Sequence, residues 1–518
     1  MCCHCMTRRE FCAMTAMGVA GGALGLPSAL LGGQVETIEP WDPDKPFLVT
    51  GKPLRVQPIL IHARYGRREK TSWRSWSRII DDAAATEEME RIGRELKALA
   101  AKADFPLELL PPARVTSPQQ GRKVQEGDFD VVLLYAATEG GGLYKASIAK
   151  APDRDTIVFL RHKSGPTYYF YECFGRHMAA ERTPEAGRKN GARSHGGVTL
   201  DDAVVDDYDE VLWRLRALYG LKNFLGQRIV ALGGAQGKWD GKAPQVARDS
   251  YLLNIVEVTY DELAGRLKAA LANAGLIAQA EKWTDRYLAL PNTKLEAQRK
   301  HVVNAFVLYA VFKDWMRQHK APAFTINQCM GTVIPMSDTT ACMALSWLND
   351  EGHLAFCESD FVIIPCGILL HYISGRPVFL HNSTFPHKAM VTCAHCTSPR
   401  RMDGKRYEPV RILTHYESDF GAAPKVEMPV GQTVSFIDPE YSTGRWVGIK
   451  GIVRDNPFFD ICRSQQDVEI LGDWRRLLVE ARDSHWVMAY GDWLREIDYA
   501  TWKIGVRWVD VSTDAAGR

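Results

Sequence analysis

The chain has almost no excess of charge of either sign. Its 64 Lys and Arg face 62 Asp and Glu, a formal net charge of +2 over 518 residues. That balance gives no support for nucleic acid or an anionic membrane as the main partner. Internal repeats and low-complexity tracts are also missing, so nothing points to a repeat architecture. The long uncharged stretch from Cys12 to Gly33 is too rich in glycine to make a permanent membrane anchor. The loops "EGGGLY" (139–144) and "GGAQGKWDG" (233–241) do not complete a G-x-G-x-x-G or a P-loop pattern, which leaves a dinucleotide or nucleotide site with little support. A zinc ribbon needs two cysteine pairs. "VTCAHCTSP" (391–399) supplies one pair, and no second follows at matching spacing.

What is present is ordinary for a soluble globular protein: 46% hydrophobic and 24% charged residues. The length exceeds what one compact core serves, so two or three domains are expected. The N-terminus pairs Arg8 and Arg9 ahead of the uncharged Gly/Ala-rich stretch, as a twin-arginine export signal does, and we assign residues 1–33 to it. Export by that route implies the translocase as a transient partner and a periplasmic or external destination. Of twelve cysteines, Cys2, Cys3, Cys5 and Cys12 lie in or before this signal. The others sit mostly in apolar runs of a chain that would fold in the reducing cytoplasm, so buried thiols rather than disulfides are expected.

Strand and helix patterns alternate through the first two thirds. "LRVQPILIHAR", "FDVVLLYAAT" and "DTIVFLRH" read as buried strands, and "TEEMERIGRELKALAAKA" has helical periodicity. A second round follows, with "QRIVALGG" and "YLLNIVEV" as strands between helices, then a long amphipathic segment from Lys294 to Gln318 and the strand "PAFTINQ". This predicts two α/β units with mainly parallel sheets, at 34–175 and 176–325. From 326 to 518 a third unit begins with helices and turns to short β runs, which suit an antiparallel barrel or sandwich. It closes with a helix over "DWRRLLVEARDSHWVMAYGDWLREIDYA" and the strand "GVRWVDV".

If Val391–Thr397 is a strand, Cys393, His395 and Thr397 share one face and Cys396 takes the other. One strand then cannot aim both thiols at one zinc. A C-x-x-C redox motif works at the start of a helix, which Pro399 opposes. His395 is left as the group of interest. Glu358 lies between apolar runs, where a lone carboxylate needs a cation or hydrogen bonds. His381 and Asn382 end the strand "RPVFLHN", and His485 stands in "RDSHWVMAYGD". A single histidine is most often a hydrogen-bonded structural residue, but one carboxylate with two or three imidazoles is a normal set for Mn²⁺, Zn²⁺ or Fe²⁺.

From about Thr339 onward the order of these motifs resembles the C-terminal half of the L-fucose and L-arabinose isomerase family. Glu358-Ser359-Asp360 matches its E-x-D. The run from Phe379 to Phe385 matches its next strand, His395 its following histidine, and His485 the late histidine before a Gly-Asp (Gly491-Asp492). The resemblance implies a three-domain metal-dependent aldose–ketose isomerase that usually assembles into closed oligomers. It further implies Glu358 as base and ligand, with His395 and His485 as ligands. Where the family has its second metal-binding carboxylate, this chain has His381 beside Asn382, which become the variable fourth group: His381 as ligand or proton shuttle, Asn382 as a substrate contact. Mn²⁺ or Zn²⁺ is the implied metal.

The expected function is an isomerase-like proton transfer on a sugar or sugar derivative. The alternative is an exported carbohydrate-binding protein that kept the fold and lost turnover. A lyase or glycoside hydrolase using metal-bound water is a third reading. Arg64, Arg67, Arg68, residues 139–144 and the Gln236–Trp239 loop all follow strands, where α/β units hold ligands; Arg64 and Trp239 are taken as candidate sugar contacts. The polar stretch 183–197 with His195 reads as a surface loop or lid.

Overall fold

A computed structural model describes residues 39–512 apart from 75–76, 139–140, 169–177, 180–197, 441–443 and 482. The export signal, the stretch 183–197 and the start of the 139–144 loop therefore fall outside the described residues.

The chain builds two parallel sheets and an antiparallel barrel. The first sheet runs in the order Leu107–Leu109, Leu54–Ile61, Val131–Ala136, Asp155–Leu160, Ala203–Val205, and Ala113–Val115 also pairs with Leu54–Ile61. Every residue of Val131–Ala136 is buried, as expected for a strand covered on both faces. The helix Asp82–Lys102 covers one face. Its N-cap Asp81 accepts from the Ala84 N–H, and Ala85, Ile92, Leu96 and Leu99 recur at helical spacing on its buried side.

The second sheet is ordered Asn254–Val258, Arg228–Leu232, Ala323–Ile326, Leu354–Phe356, all parallel. The two sheets thus reach past the boundaries expected at 175 and 325, because Ala203–Val205 closes the first and Leu354–Phe356 closes the second. The long segment before the third strand divides into the short strand Thr293–Leu295 and the helix Arg299–Gln318. The strand order switches sides at Arg228–Leu232, whose next strand, Asn254–Val258, lies on one side and Ala323–Ile326 on the other, and ligands in such sheets collect at the carboxyl ends of the strands at that switch. Gly233 leaves the sheet there at φ 79°, where a Cβ would stand 2.5 Å from the Tyr260 ring. A groove of about 710 Å³, lined in part by Lys222, Arg228, Lys313 and Lys320, opens at the opposite, amino edge.

Six antiparallel strands close the barrel: Thr433–Pro439, His485–Tyr490, Phe379–Ser383, Met390–His395, Ser464–Leu471 and Arg445–Asp455, the last pairing back to the first. Arg507–Asp510 adds in parallel outside. Alternation sorts the side chains. Phe379, Val391, Cys393, Phe436, Val468, Trp486 and Met488 fill the interior. Leu380, Ile437, Val487 and Ala489 face the other way and join the core under the helix Ile364–Ser374.

Two sequence expectations change here. The closing helix is interrupted: Trp474–Glu480 and Leu494–Lys503 are helical, but "HWVMAY" between them is a barrel strand buried throughout. Its aromatic and β-branched residues pair on both sides, and tertiary pairing overrides the helical surroundings. The strand Ser464–Leu471 was not anticipated, because "SQQDVEIL" offers too few apolar residues to read as buried.

Candidate metal centre

The centre forms where the carboxyl edge of the second sheet meets the barrel rim. Glu358 follows the last strand of that sheet, His395 ends a barrel strand, and His485 begins another. Their ligand atoms all lie within 4.8 Å of one another. Glu358 Oε1 is 3.6 Å from His395 Nε2, and Glu358 Oε2 is 3.5 Å from His485 Nε2. Tetrahedral ligands bonded at about 2.1 Å stand roughly 3.4 Å apart, so the donors are spaced to share one ion. His395 and His485 are 3% and 0% exposed, and the Glu358 side chain is 20% exposed.

A second layer fixes each donor. His485 Nδ1 lies 2.8 Å from Asp360 Oδ2, which places the ring proton on that nitrogen and turns the Nε2 lone pair to the centre. Asp360 Oδ1 in turn accepts the backbone N–H groups of Lys238 and Val362 at 2.9 and 3.1 Å. His395 Nδ1 is 3.1 Å from Thr397 Oγ1, the neighbour that strand alternation put on its face. Glu358 and Ser359 both occupy the left-handed region, at φ 63° and 46°, a conformation costing roughly 1 kcal/mol each. Gln236 holds them there. Its Nε2 donates to the Glu358 carbonyl at 2.7 Å, its N–H to the Ser359 carbonyl at 3.2 Å, and its own carbonyl accepts from the Phe361 N–H at 2.8 Å.

Burial works against a charged Glu358, but the hydrogen bond from His395 and the charges of His485, His395 and Lys238 outweigh it. Together they hold its carboxyl well below the usual carboxylate range.

His381 does not join the three donors. Cross-strand pairing sets it opposite Trp486, and its ring lies 5.4, 5.5 and 6.3 Å from those of Phe379, Phe436 and Trp486 in the barrel interior. Burial pushes its pKa down to about 3, and its Nε2 has no hydrogen-bond partner among the described residues. Asn382, one residue on, takes the other face: it pairs with His485 across the strands, and its Nδ2 donates to the Ser484 carbonyl at 3.2 Å. Trp239 is nearby, 63% exposed, with Nε1 3.4 Å from Ser484 Oγ. Arg64 stands apart, in an ion pair with Asp82 beside the first sheet.

The cysteines of the Val391–Pro399 stretch part as alternation requires. Cys393 packs inside the barrel, and Cys396 packs with Cys342 and Ala423. All seven described cysteines are free thiols. Among the described residues no helix is long and apolar enough to cross a membrane.

Two participants went unassigned at the sequence level: Asp360, although the E-x-D triplet contains it, and Lys238, whose loop had been noted but not its ammonium. Each depends on contacts more than 100 positions away.

No protein-family model matches the chain, and no curated protein matches it in sequence.

Proposed function

We propose that the chain is a metal-dependent enzyme that shifts a proton between neighbouring carbons of a sugar or sugar derivative, in the manner of an aldose–ketose isomerase of the fucose/arabinose isomerase type. The observation that carries this reading is the convergence of Glu358, His395 and His485, with Asp360 orienting the second imidazole. Two α/β units followed by a barrel agree with it.

Glu358, His395 and His485 would hold Mn²⁺ or Zn²⁺, which supplies Lewis-acid stabilisation of oxygen charge when bound. The remaining work falls to the chain. Glu358, its backbone held by Gln236, is the carboxylate placed to move a proton from the carbon beside a carbonyl to the neighbouring carbon. A second proton moves between the two oxygens, and no atoms are gained or lost. The burial of the histidines keeps water away from that exchange. Asn382 can hydrogen-bond a hydroxyl at this face but cannot take up a proton, which leaves Glu358 as the single base.

That lack of a second carboxylate at 381 or 382 favours one rival: a carbohydrate-binding protein with this architecture and no turnover. In either case the twin-arginine signal would place the protein outside the cytoplasm.

Elemental analysis after equilibration with Mn²⁺ and Zn²⁺ tests the reading. About one ion per chain is expected, lost in both Glu358→Ala and His485→Ala. Metal-free wild type, or binding indifferent to both substitutions, would sink it. Metal and sugar binding without interconversion of any sugar would select the rival.

A further inference from the structure

One pair of thiols stands apart from the other described cysteines. His395 ends its strand opposite Ser464 of the neighbouring barrel strand. Cys396 therefore lies just after that last rung, and Cys462 just before it on the other strand. The Cys462 thiol and the His415 ring both hydrogen-bond the Cys396 sulfur, and the Arg463 N–H donates to it at 3.5 Å. Cys393, the nearer cysteine in sequence, is turned into the barrel interior. The side chain that meets Cys396 thus comes from a distant part of the chain.

Access separates this pair from the rest. Cys396 is 1% exposed, whereas Cys462 is partly open to solvent. Cys342 also packs on Cys396 but is itself buried. Cys366 and Cys393 are sealed inside their cores, and Cys329 and Cys357 pack against the core of the second sheet. A disulfide bond needs two side chains aimed at one another, which the sulfur-to-sulfur hydrogen bond shows, and an oxidant that can reach one of them. Cys396 and Cys462 meet both conditions.

We propose that Cys396 and Cys462 are a site of reversible oxidation, closed into an intramolecular disulfide by a disulfide-bearing thiol carrier, small or protein. Cys462 attacks one sulfur of the carrier disulfide and releases one carrier thiol. Cys396 then attacks the Cys462 sulfur of the mixed disulfide and expels the second. The two cysteines lose two protons and two electrons, and the carrier disulfide gains them as two thiols. The bond staples together the two strand ends at the His395–Ser464 rung and closes a long loop, so the oxidised chain resists unfolding more than the reduced one.

Incubation of the folded full chain with oxidised glutathione, followed by blocking of free thiols and peptide mapping, tests this. Most chains should carry the Cys396–Cys462 link, which dithiothreitol should open, and the linked form should have the higher urea midpoint. Cys462→Ser should abolish the link with the circular dichroism of the reduced chain unchanged, and Cys342→Ser should leave the link in place. Glutathione left attached at Cys462 would overturn the proposal, because the two sulfurs would not have met. So would no reaction at Cys462, a link from Cys396 to Cys342, or a urea midpoint that does not rise on oxidation. The readouts involve neither metal nor sugar, so the outcome is independent of the metal-centre reading.

Discussion

Outside the three donors, Asp360 is the single side chain with the greatest hold on the centre. It is buried, fixes the tautomer of His485, and ties the Lys238 loop to the barrel. Asp360→Asn keeps the shape and removes the charge, so the imidazole becomes a poorer donor. Mn²⁺ affinity measured by calorimetry should fall about 10- to 100-fold, with the fold retained by circular dichroism. An unchanged affinity would mean that His485 is oriented by something else. At this scale the sequence was legible for groups whose chemistry is local. Glu358 could be singled out because an isolated carboxylate between apolar runs demands a partner. Its partners His395 and His485 were named from the chemistry of the set and the motif resemblance and do converge on it; what local pattern could not supply is the geometry, since they reach Glu358 only through barrel closure.

At the scale of the element, strand register decides what one residue of difference means. His381 and Asn382 are neighbours in sequence but lie on opposite faces of Phe379–Ser383, and only Asn382 shares a face with His485. The sequence could place both on a strand; which face meets the centre depends on pairing with His485–Tyr490, a strand first read as helix. The register yields a paired prediction. His381→Glu puts an unpartnered carboxylate into the barrel interior and should lower stability by roughly 3 kcal/mol or more, seen as a drop in urea midpoint. Asn382→Asp should leave the midpoint nearly unchanged and tighten Mn²⁺ binding about tenfold by adding a negative charge at the centre. The reverse pattern would show that the register is misassigned.

Over the whole molecule, the core contains an imidazole that must stay neutral. His371 is 3% exposed in the helix Ile364–Ser374, and burial pushes its pKa down to about 4 from an ordinary 6.5. A depressed histidine contributes nothing above pH 6.5. Below it the unfolded chain binds a proton that the folded one refuses. Stability should therefore fall as pH drops from 6.5 toward 4, by about 1.4 kcal/mol per pH unit for this one group. Urea midpoints measured across pH 7 to 4.5 should decline less steeply in His371→Gln than in wild type; parallel slopes would remove His371 as a source of acid sensitivity. The sequence by itself determined the parts: apolar runs that can only be buried parallel strands, helices with one apolar stripe and their caps, and thiols that pack rather than cross-link. Those follow from local periodicity and burial, which a strand or helix carries with it. Tertiary structure alone decided that the sheet carrying Glu358 meets the barrel rim, that His381 turns inward, and that Lys238 reaches the donors. These depend on closure and register between segments distant in the chain, and no local pattern encodes which face such strands will share.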